Sequence, residues 1–471
     1  MRKTKVGVLT FSDGRDFLQK PLVEVNDQFM QALKTLLEKV GYEVVAGREV
    51  IWTNQLAVEE GKHLRSQNVD MTIFNYAVWA FPQFTAMAAK FAPGPLLLYS
   101  NINPQYPGLV ALMAASGALD QTGVVHRKLF GDLENEVLVQ EMVDYVDAAG
   151  VISKLRGETY GLYGGRSIGI YTAVSNTDQW MAKFGIDVEQ VDQLEVIRRA
   201  ERIDADKARA AREWCEKYVK KIHYNGKELT PEKLELQIRI YYAMKEINEE
   251  KGFDFCGIKS QTELTNNYCT TDVPEAFMND PYDFDGPKEP VVCATEADMD
   301  AALTMEIFKH LANTPVLFAD VRHYFADQDI LDLVNSGQHA TYFAAKSFDF
   351  KENLAKVEFR PEGFYFPGGG ASVFHLAAPG EVTLARLMRV SGKYWMAIVP
   401  GEFVQFDDAT NERLINEVQD NWPHAFFKLQ VEPKEFFSSY ACNHIHGVYG
   451  NYIEKLIAVC ELLDIPYELY A

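Results

Sequence analysis

The apolar residues of this 471-residue chain keep two different rhythms, and a chain with both needs two kinds of sheet. Up to about residue 156, strand-like runs at Lys5 to Phe11, Met71 to Tyr76 and Pro95 to Tyr99 alternate with helical stretches such as Asn26 to Val40. Strands separated by helices favour a parallel, doubly wound sheet, because parallel neighbours are reached only through a crossover. A glycine-rich stretch, Gly157 to Gly169, opens a second unit of the same type, with helices expected near Asp204 to Lys221 and Pro231 to Lys251. Beyond about residue 340 the rhythm shortens to two: apolar and polar residues alternate in Val357 to Phe366, Val382 to Val390, Tyr394 to Val399 and Phe426 to Val431. That period marks antiparallel strands with one buried face. The expectation is an α/β protein with two doubly wound parallel-sheet domains, residues 1–156 and 157–312. A mainly antiparallel β-barrel domain, 313–471, follows and closes on a helix at about Ile453 to Leu463. The nearest thing to a linker is the Pro-, Asp- and Gly-rich passage Asn279 to Pro290.

The length agrees with several cores rather than one. With 46 basic and 67 acidic residues the net charge is -21, which disfavours nucleic acid or an anionic membrane as partner and suits a small neutral molecule or a cation. The six cysteines form no CxxC pair, so a reducing cytoplasm is expected. The basic start Met1-Arg2-Lys3-Thr4-Lys5 is followed by an apolar run that Ser12-Asp13-Gly14-Arg15 interrupts before an export core can form. No run approaches the roughly 20 apolar residues of a membrane helix.

Two acids each follow a short apolar run: Glu296 after Pro290-Val291-Val292-Cys293 and Asp320 after Pro315-Val316-Leu317-Phe318. Both are expected where a buried strand ends and side chains converge on a ligand. With His444 they make a donor set of two carboxylates and one imidazole, which suits a hard or first-row divalent cation. An acid after a strand also serves as a helix cap, and Glu296 precedes a helix expected from Asp298 to Leu311, so on pattern alone either role stands open. Gly161, Gly164, Gly165 and Gly169 do not fit GxGxxG, which argues against a nucleotide site. Gly368-Gly369-Gly370 is expected to permit a close backbone approach.

The segment from Pro290 through Glu296 and Asp298, with Phe318-Ala319-Asp320-Val321-Arg322 following so that the two acids stand 24 residues apart, resembles the paired acidic motif of the L-fucose isomerase family. Asp13-Gly14-Arg15 is similar to that family's DGR loop, Gln261 to its glutamine motif, Tyr365-Phe366-Pro367-Gly368-Gly369-Gly370 to its tyrosine and triple-glycine turn, and Asn443-His444 through Pro466 to its NH motif. The resemblance implies that Glu296, Asp320 and His444 bind a divalent ion, most often Mn²⁺ with Mg²⁺ or Co²⁺ as alternates. It also implies that Glu296 and Asp320 are the acid and base of an enediol proton transfer. Arg15, Trp79, Gln261, Tyr365, Trp422 and Asn443 would contact the sugar, with Arg15 and Trp79 reaching the site of a neighbouring subunit in a homo-oligomer, a hexamer by the family's pattern. His446 is an alternate ligand to His444, and His339 resembles an additional metal histidine of the related L-arabinose isomerases. Without the resemblance, Arg15 reads equally as a solvated loop residue, Tyr365 as barrel packing and His339 as a packed histidine.

The reading is therefore a metal-dependent aldose–ketose isomerase acting on a free monosaccharide such as L-fucose or D-arabinose. Two rivals stand beside it: a non-catalytic sugar-binding sensor, suggested by the paired α/β units, and a metal-dependent sugar aldolase or epimerase using the same enediolate chemistry.

Overall fold

A computed structural model describes residues 3–471. The chain divides into two compact units, one running through Lys154 and taking in Glu454–Leu462, the other holding Leu155–Ile453 and Leu463–Ala471.

In the first unit, β1 (Lys5–Thr10), β2 (Glu43–Ala46), β3 (Met71–Asn75), β4 (Leu96–Ser100) and β5 (His126–Phe130) make a wholly parallel sheet in the order β2-β1-β3-β4-β5. Side chains alternate across a strand, so a strand apolar at every position needs cover on both faces. Val6, Val8, Met71 and Ile73 accordingly enter one core with Leu33 and Leu37, while Leu9, Phe74 and Leu98 enter another with Leu64 and Leu112. The first helix begins at Asp16 rather than Asn26 and ends at Val40. None of residues 16–25 is buried, so no apolar stripe announces its start.

The second unit opens with β6 (Thr159–Tyr163), β7 (Asp187–Val191), the short β8 (Lys221–Ile222), β9 (Phe255–Ile258), a two-stranded hairpin of β10 (Tyr282–Asp283) and β11 (Gly286–Pro287), and β12 (Cys293–Thr295). Four of these strands form a second parallel sheet, β12-β9-β6-β7. The passage from Asn279 to Pro290 is no linker: Asp280 is fully buried and accepts hydrogen bonds from Thr341 Oγ1 (2.7 Å) and Tyr342 N (2.9 Å), which ties the hairpin into the core.

The antiparallel part comprises β13 (Leu317–Phe325), β14 (Ile330–Val334), β15 (Glu358–Pro361), β16 (Ala371–Phe374), β17 (Gly380–Val390), β18 (Lys393–Val404), β19 (His424–Leu429), β20 (His444–Tyr449) and β21 (Tyr467–Leu469). Six of them pair in the cycle β13-β14-β19-β18-β17-β20 and back to β13, every pairing antiparallel, so the sheet closes into a barrel and β21 adds to it in parallel on β18. The stretch from Val357 to Phe366, expected among these strands, lies outside the cycle: β15 ends at Pro361 and pairs with β16 and β8 instead. The barrel is filled by alternate residues, among them Leu317, Ala319, Leu331, Leu333, Leu384, Val399, Phe427 and Ile445. The residues between them on β13 and β20, which include Phe318, Asp320, His444 and His446, therefore lie on the other face of the wall. Among the described residues no helix is long and apolar enough to cross a membrane.

Candidate active site

Glu296 follows β12 directly, as expected of a strand-end acid, and the backbone there leaves the ordinary regions: φ is 60° at Glu296 and 54° at Ala297. Two successive non-glycine residues in the left-handed region cost roughly 1–3 kcal/mol each and persist only where their surroundings impose them. Thr295 supplies much of that constraint. Its hydroxyl donates to Glu275 Oε2 at 2.5 Å and accepts from Gln338 Nε2 at 2.7 Å and Asn335 Nδ2 at 2.9 Å, while Ala297 N donates to Ile258 O at 3.0 Å. Glu275, fully buried, also accepts from Thr271 Oγ1; burial pushes its carboxyl up to about 7.

The alternative role of Glu296, capping the next helix, belongs to Asp298. Asp298 is the N-cap of the helix Met299–Ala312 and its Oδ1 accepts from Ala301 N at 2.9 Å. Glu296 is thus free of the helix end, and its Oε1 instead accepts from Gln261 Nε2 at 3.3 Å.

Asp320 does not end its strand. It is the fourth residue of nine-residue β13, which runs on through a bulge between Val321 and His323. The parallel-sheet rule that placed it at a strand end does not govern an antiparallel barrel strand. Register places it instead: Asp320 lies directly across from His444, the first residue of β20, and Phe318 across from His446. The neighbouring Asn443 donates from Nδ2 to Asp320 Oδ1 at 3.0 Å.

The three donors meet. His444 Nε2 is 3.1 Å from Glu296 Oε2 and 3.4 Å from Asp320 Oδ1, and it makes no hydrogen bond although the ring is fully buried. The other ring nitrogen, Nδ1, is 2.6 Å from Asp298 Oδ2, so Nδ1 carries a proton and Nε2 is the atom directed at the two carboxylates. Burial alone would depress the charged imidazolium, but Asp298, Asp320 and Glu296 outweigh it and hold His444 well above the ordinary histidine value. Burial raises Asp320, opposed by His444 and, more weakly, by Asn443 and Arg322, while the charge of Glu296 adds to the rise. Positive charge at Nε2 is what this cluster selects. Adjacent ligands on an octahedral ion with bonds of about 2.1 Å lie about 3.0 Å apart, so the spacing suits a divalent cation as well as a proton.

A second cluster, Glu158, Glu306 and His310, brings ligand atoms within 4.8 Å of one another. The spacing is tight, and Lys309 Nζ also sits on Glu306 Oε1, so an ammonium group offsets part of the charge of the two carboxylates. Glu296, Asp320 and His444 offer the same kinds of donor, two carboxylates and one imidazole.

The remaining expected residues fall into separate groups. Gln261 and Asn443 touch the two acids, as described. Tyr365 and Trp422 pack against each other at 5.6 Å between ring centroids, and Arg322, two residues beyond Asp320, lies over the Trp422 ring at 5.7 Å. Gly368 and Gly369 pass so close to backbone that a Cβ would meet Thr265 O at 2.8 Å and Glu228 O at 2.4 Å, the close approach expected of that turn. Arg15 and Trp79 belong to the first unit, where Arg15 is held by Asp13 through both carboxylate oxygens at 2.9 and 2.6 Å and Trp79 lies beside Phe81. His446 accepts from Arg386 Nη1 on Nε2 at 3.0 Å. His339 packs against His375 at 5.9 Å between centroids, and burial with His375 and His424 nearby depresses it; no hydrogen bond or ion pair joins it to the three donors among the described residues. Sequence reasoning missed Ser336, whose hydroxyl accepts from Gln261 Nε2 at 3.4 Å, and it gave Asp298 and Arg386 no part in the site. An isolated serine or arginine carries no spacing signal; Asp298 stood inside the acidic motif but was assigned only to the helix start.

Models of the L-fucose isomerase family match in three pieces: the first N-terminal domain over residues 3–157, the second N-terminal domain over 242–313 and the C-terminal domain over 333–470. The chain belongs to the L-fucose isomerase family. It is 26% identical to an L-fucose isomerase of Bacteroides thetaiotaomicron over 451 residues, 79% of this chain and 76% of that protein. To an L-fucose isomerase of Streptococcus pneumoniae (strain 70585) it is 24% identical over 480 residues, 86% of this chain and 81% of the other. Membership makes it an enzyme of the aldose–ketose isomerase class, an intramolecular oxidoreductase, and leaves the sensor and aldolase readings behind. Glu296 falls in the second matched piece and His444 in the third, while Asp320 lies between them.

Gly257 on β9 shows how tightly the Glu296 turn is packed: a Cβ there would stand 2.2 Å from the Tyr160 hydroxyl, 3.0 Å from Ala294 O and 3.1 Å from Ala297 Cα. Gly257→Ala is expected to displace that turn, lowering sugar turnover roughly 100-fold and stability by about 1–3 kcal/mol. Steady-state kinetics and urea unfolding measure both, and wild-type turnover in a folded variant would refute the packing argument.

Proposed function

We propose that this enzyme is a divalent-metal-dependent ketol isomerase of a free monosaccharide such as L-fucose or D-arabinose, with Mn²⁺ as the ion and Mg²⁺ or Co²⁺ as alternates. The observation that carries the reading is the convergence of the buried His444 Nε2, which no hydrogen bond occupies, with Glu296 and Asp320. These three residues would hold the cation. When bound, such an ion polarises the sugar carbonyl and acidifies the neighbouring C–H.

The chain's own groups then manage the protons. One carboxylate of the Glu296 and Asp320 pair takes the proton from C2 of the open-chain aldose and a proton is delivered to C1, while O1 gains the hydroxyl proton that O2 gives up. The intermediate is an enediol, and substrate and product are isomers, so no external oxidant or reductant takes part. Asp320, raised by burial, is suited to hold a proton between steps. Gln261 and Asn443 keep the acids oriented through their amide N–H groups. Tyr365 and Trp422 offer an aromatic surface for the sugar's apolar face. Replacing Glu296→Gln or Asp320→Asn keeps the shape and removes the base, so turnover should fall by at least about 10³-fold. Ketose formation from a panel of aldoses with Mn²⁺ reads this, and near-normal rates in either variant would sink the assignment.

The raised His444 sets the sign of a pH dependence. A group held above its ordinary value is protonated at neutral pH, and a cation at Nε2 must displace that proton; binding therefore weakens as pH falls and strengthens as pH rises through the folded-state value. Titration calorimetry in buffers of different ionisation heat should register release of about one proton per Mn²⁺ near neutral pH. Binding with no proton release would count against His444 as the ligand.

Family resemblance also supports a homo-oligomer in which Arg15 and Trp79 of a neighbour complete the sugar pocket, and both residues lie in the first unit, apart in sequence from the acids. Arg15→Ala and Glu296→Gln should each be inactive alone, yet a one-to-one mixture reassembled from separated subunits should recover about a quarter of wild-type activity if the two residues act from different subunits. No recovery in mixed oligomers means that Arg15 serves its own chain.

A further inference from the structure

Behind His444 lies a buried arginine that the isomerase chemistry described above does not use. Arg386, on β17, is 1% exposed, and its guanidinium spreads over three acceptors from three separate segments. Nη2 donates to Asp298 Oδ1 at 2.9 Å and to Thr172 O at 2.9 Å, and Nη1 donates to His446 Nε2 at 3.0 Å. Asp298 is itself fully buried and has both oxygens engaged: Oδ1 takes Ala301 N and Arg386, and Oδ2 takes His444 Nδ1. Capping a helix needs only the contact with Ala301, and serine or asparagine would provide it without a buried charge. A buried ion pair is expensive to desolvate and often no better for stability than apolar packing. Its geometry here has a different effect: Arg386 pins one oxygen of Asp298, and the planar carboxylate then has its other oxygen fixed against His444.

We propose that Arg386 is a positioning residue of the active site, which through Asp298 fixes the ring orientation and tautomer of His444 and, by occupying His446 Nε2, keeps that imidazole out of the metal-binding set. The two histidines stand two residues apart on one face of β20, both within 5 Å of the Phe318 ring, at 4.7 and 4.8 Å between centroids. Local sequence does not distinguish them; their partners do. Asp298 accepts from one ring and so turns its Nε2 towards Glu296 and Asp320, whereas the guanidinium donates to the other ring and consumes its Nε2 lone pair. Groups that orient a ligating imidazole typically contribute 10- to 100-fold in metal affinity. The inference rests on the metal-dependent reading proposed above.

The test uses the full-length protein and Mn²⁺ itself. Mn²⁺ affinity is measured by electron paramagnetic resonance on wild type, Arg386→Met and Arg386→Lys, with circular dichroism and thermal melting as a separate record of folding. The expected result is a 10- to 100-fold weaker Mn²⁺ affinity in Arg386→Met, with kcat lowered at saturating Mn²⁺ and the sugar KM changed less. Arg386→Lys should recover part of the affinity, because an ammonium group can reach Asp298 but cannot span Asp298 and His446 together. Should Arg386→Met fail to fold, Arg386→Lys decides alone: an intermediate affinity supports the role and wild-type affinity refutes it. Folded variants that all bind Mn²⁺ as wild type does overturn the inference while leaving the metal reading intact. A wild-type protein that binds no Mn²⁺ overturns both.

Discussion

Everything at this site turns on one buried carboxylate. Asp298 caps the helix Met299–Ala312, accepts the Nδ1 proton of His444 on the barrel strand β20 and pairs with Arg386 on β17. It therefore joins the end of the parallel sheet, where Glu296 sits, to the barrel wall, where Asp320 and His444 sit. Without a fixed acceptor at Oδ2 the imidazole has no reason to present Nε2 to the two acids. Held ionised by the Arg386 guanidinium and His444 against the pull of burial, Asp298 stays well below the usual carboxylate range.

The second constraint is the backbone at Glu296. A left-handed pair at Glu296 and Ala297 breaks the direction of β12 abruptly and turns the acid towards the barrel instead of along the helix. Such a turn is unfavourable in isolation, and the saturated hydroxyl of Thr295, the Ala297 N–H and the absence of a side chain at Gly257 together impose it. Glu296 is thereby withdrawn from helix capping and Asp298 takes that place. The capping residue and the site residue are two positions apart, and only the turn separates their roles.

The barrel contributes through register. A period of two puts Phe318, Asp320, His444 and His446 on one face of β13 and β20 while Leu317, Ala319 and Ile445 fill the interior. A slip of one residue in β13 would move Asp320 into the barrel core, and the same slip in β20 would move His444 there. The same apolar packing that stabilises the barrel thus sets the distance between an acid and a histidine more than 100 positions apart in the chain.

Much of this was legible from residue order. The switch from helix-spaced to strand-spaced apolar patterning marks where parallel sheet gives way to barrel, because buried strands of the two kinds need different cover, and the acidic and NH motifs contain the three residues that come together, Glu296, Asp320 and His444. Position along the chain was less informative wherever pairing decides the outcome: Asp320 lies inside its strand, the stretch from Val357 to Phe366 leaves the barrel to pair with β8, and the passage from Asn279 to Pro290 is buried through Asp280. Sequence alone determined which side chains are chemically able to hold a cation and move a proton, since that follows from residue type. Only the tertiary structure decided which histidine of the His444 and His446 pair faces the acids, because their partners, Asp298 and Arg386, reach them from distant segments through hydrogen bonds that no local pattern encodes.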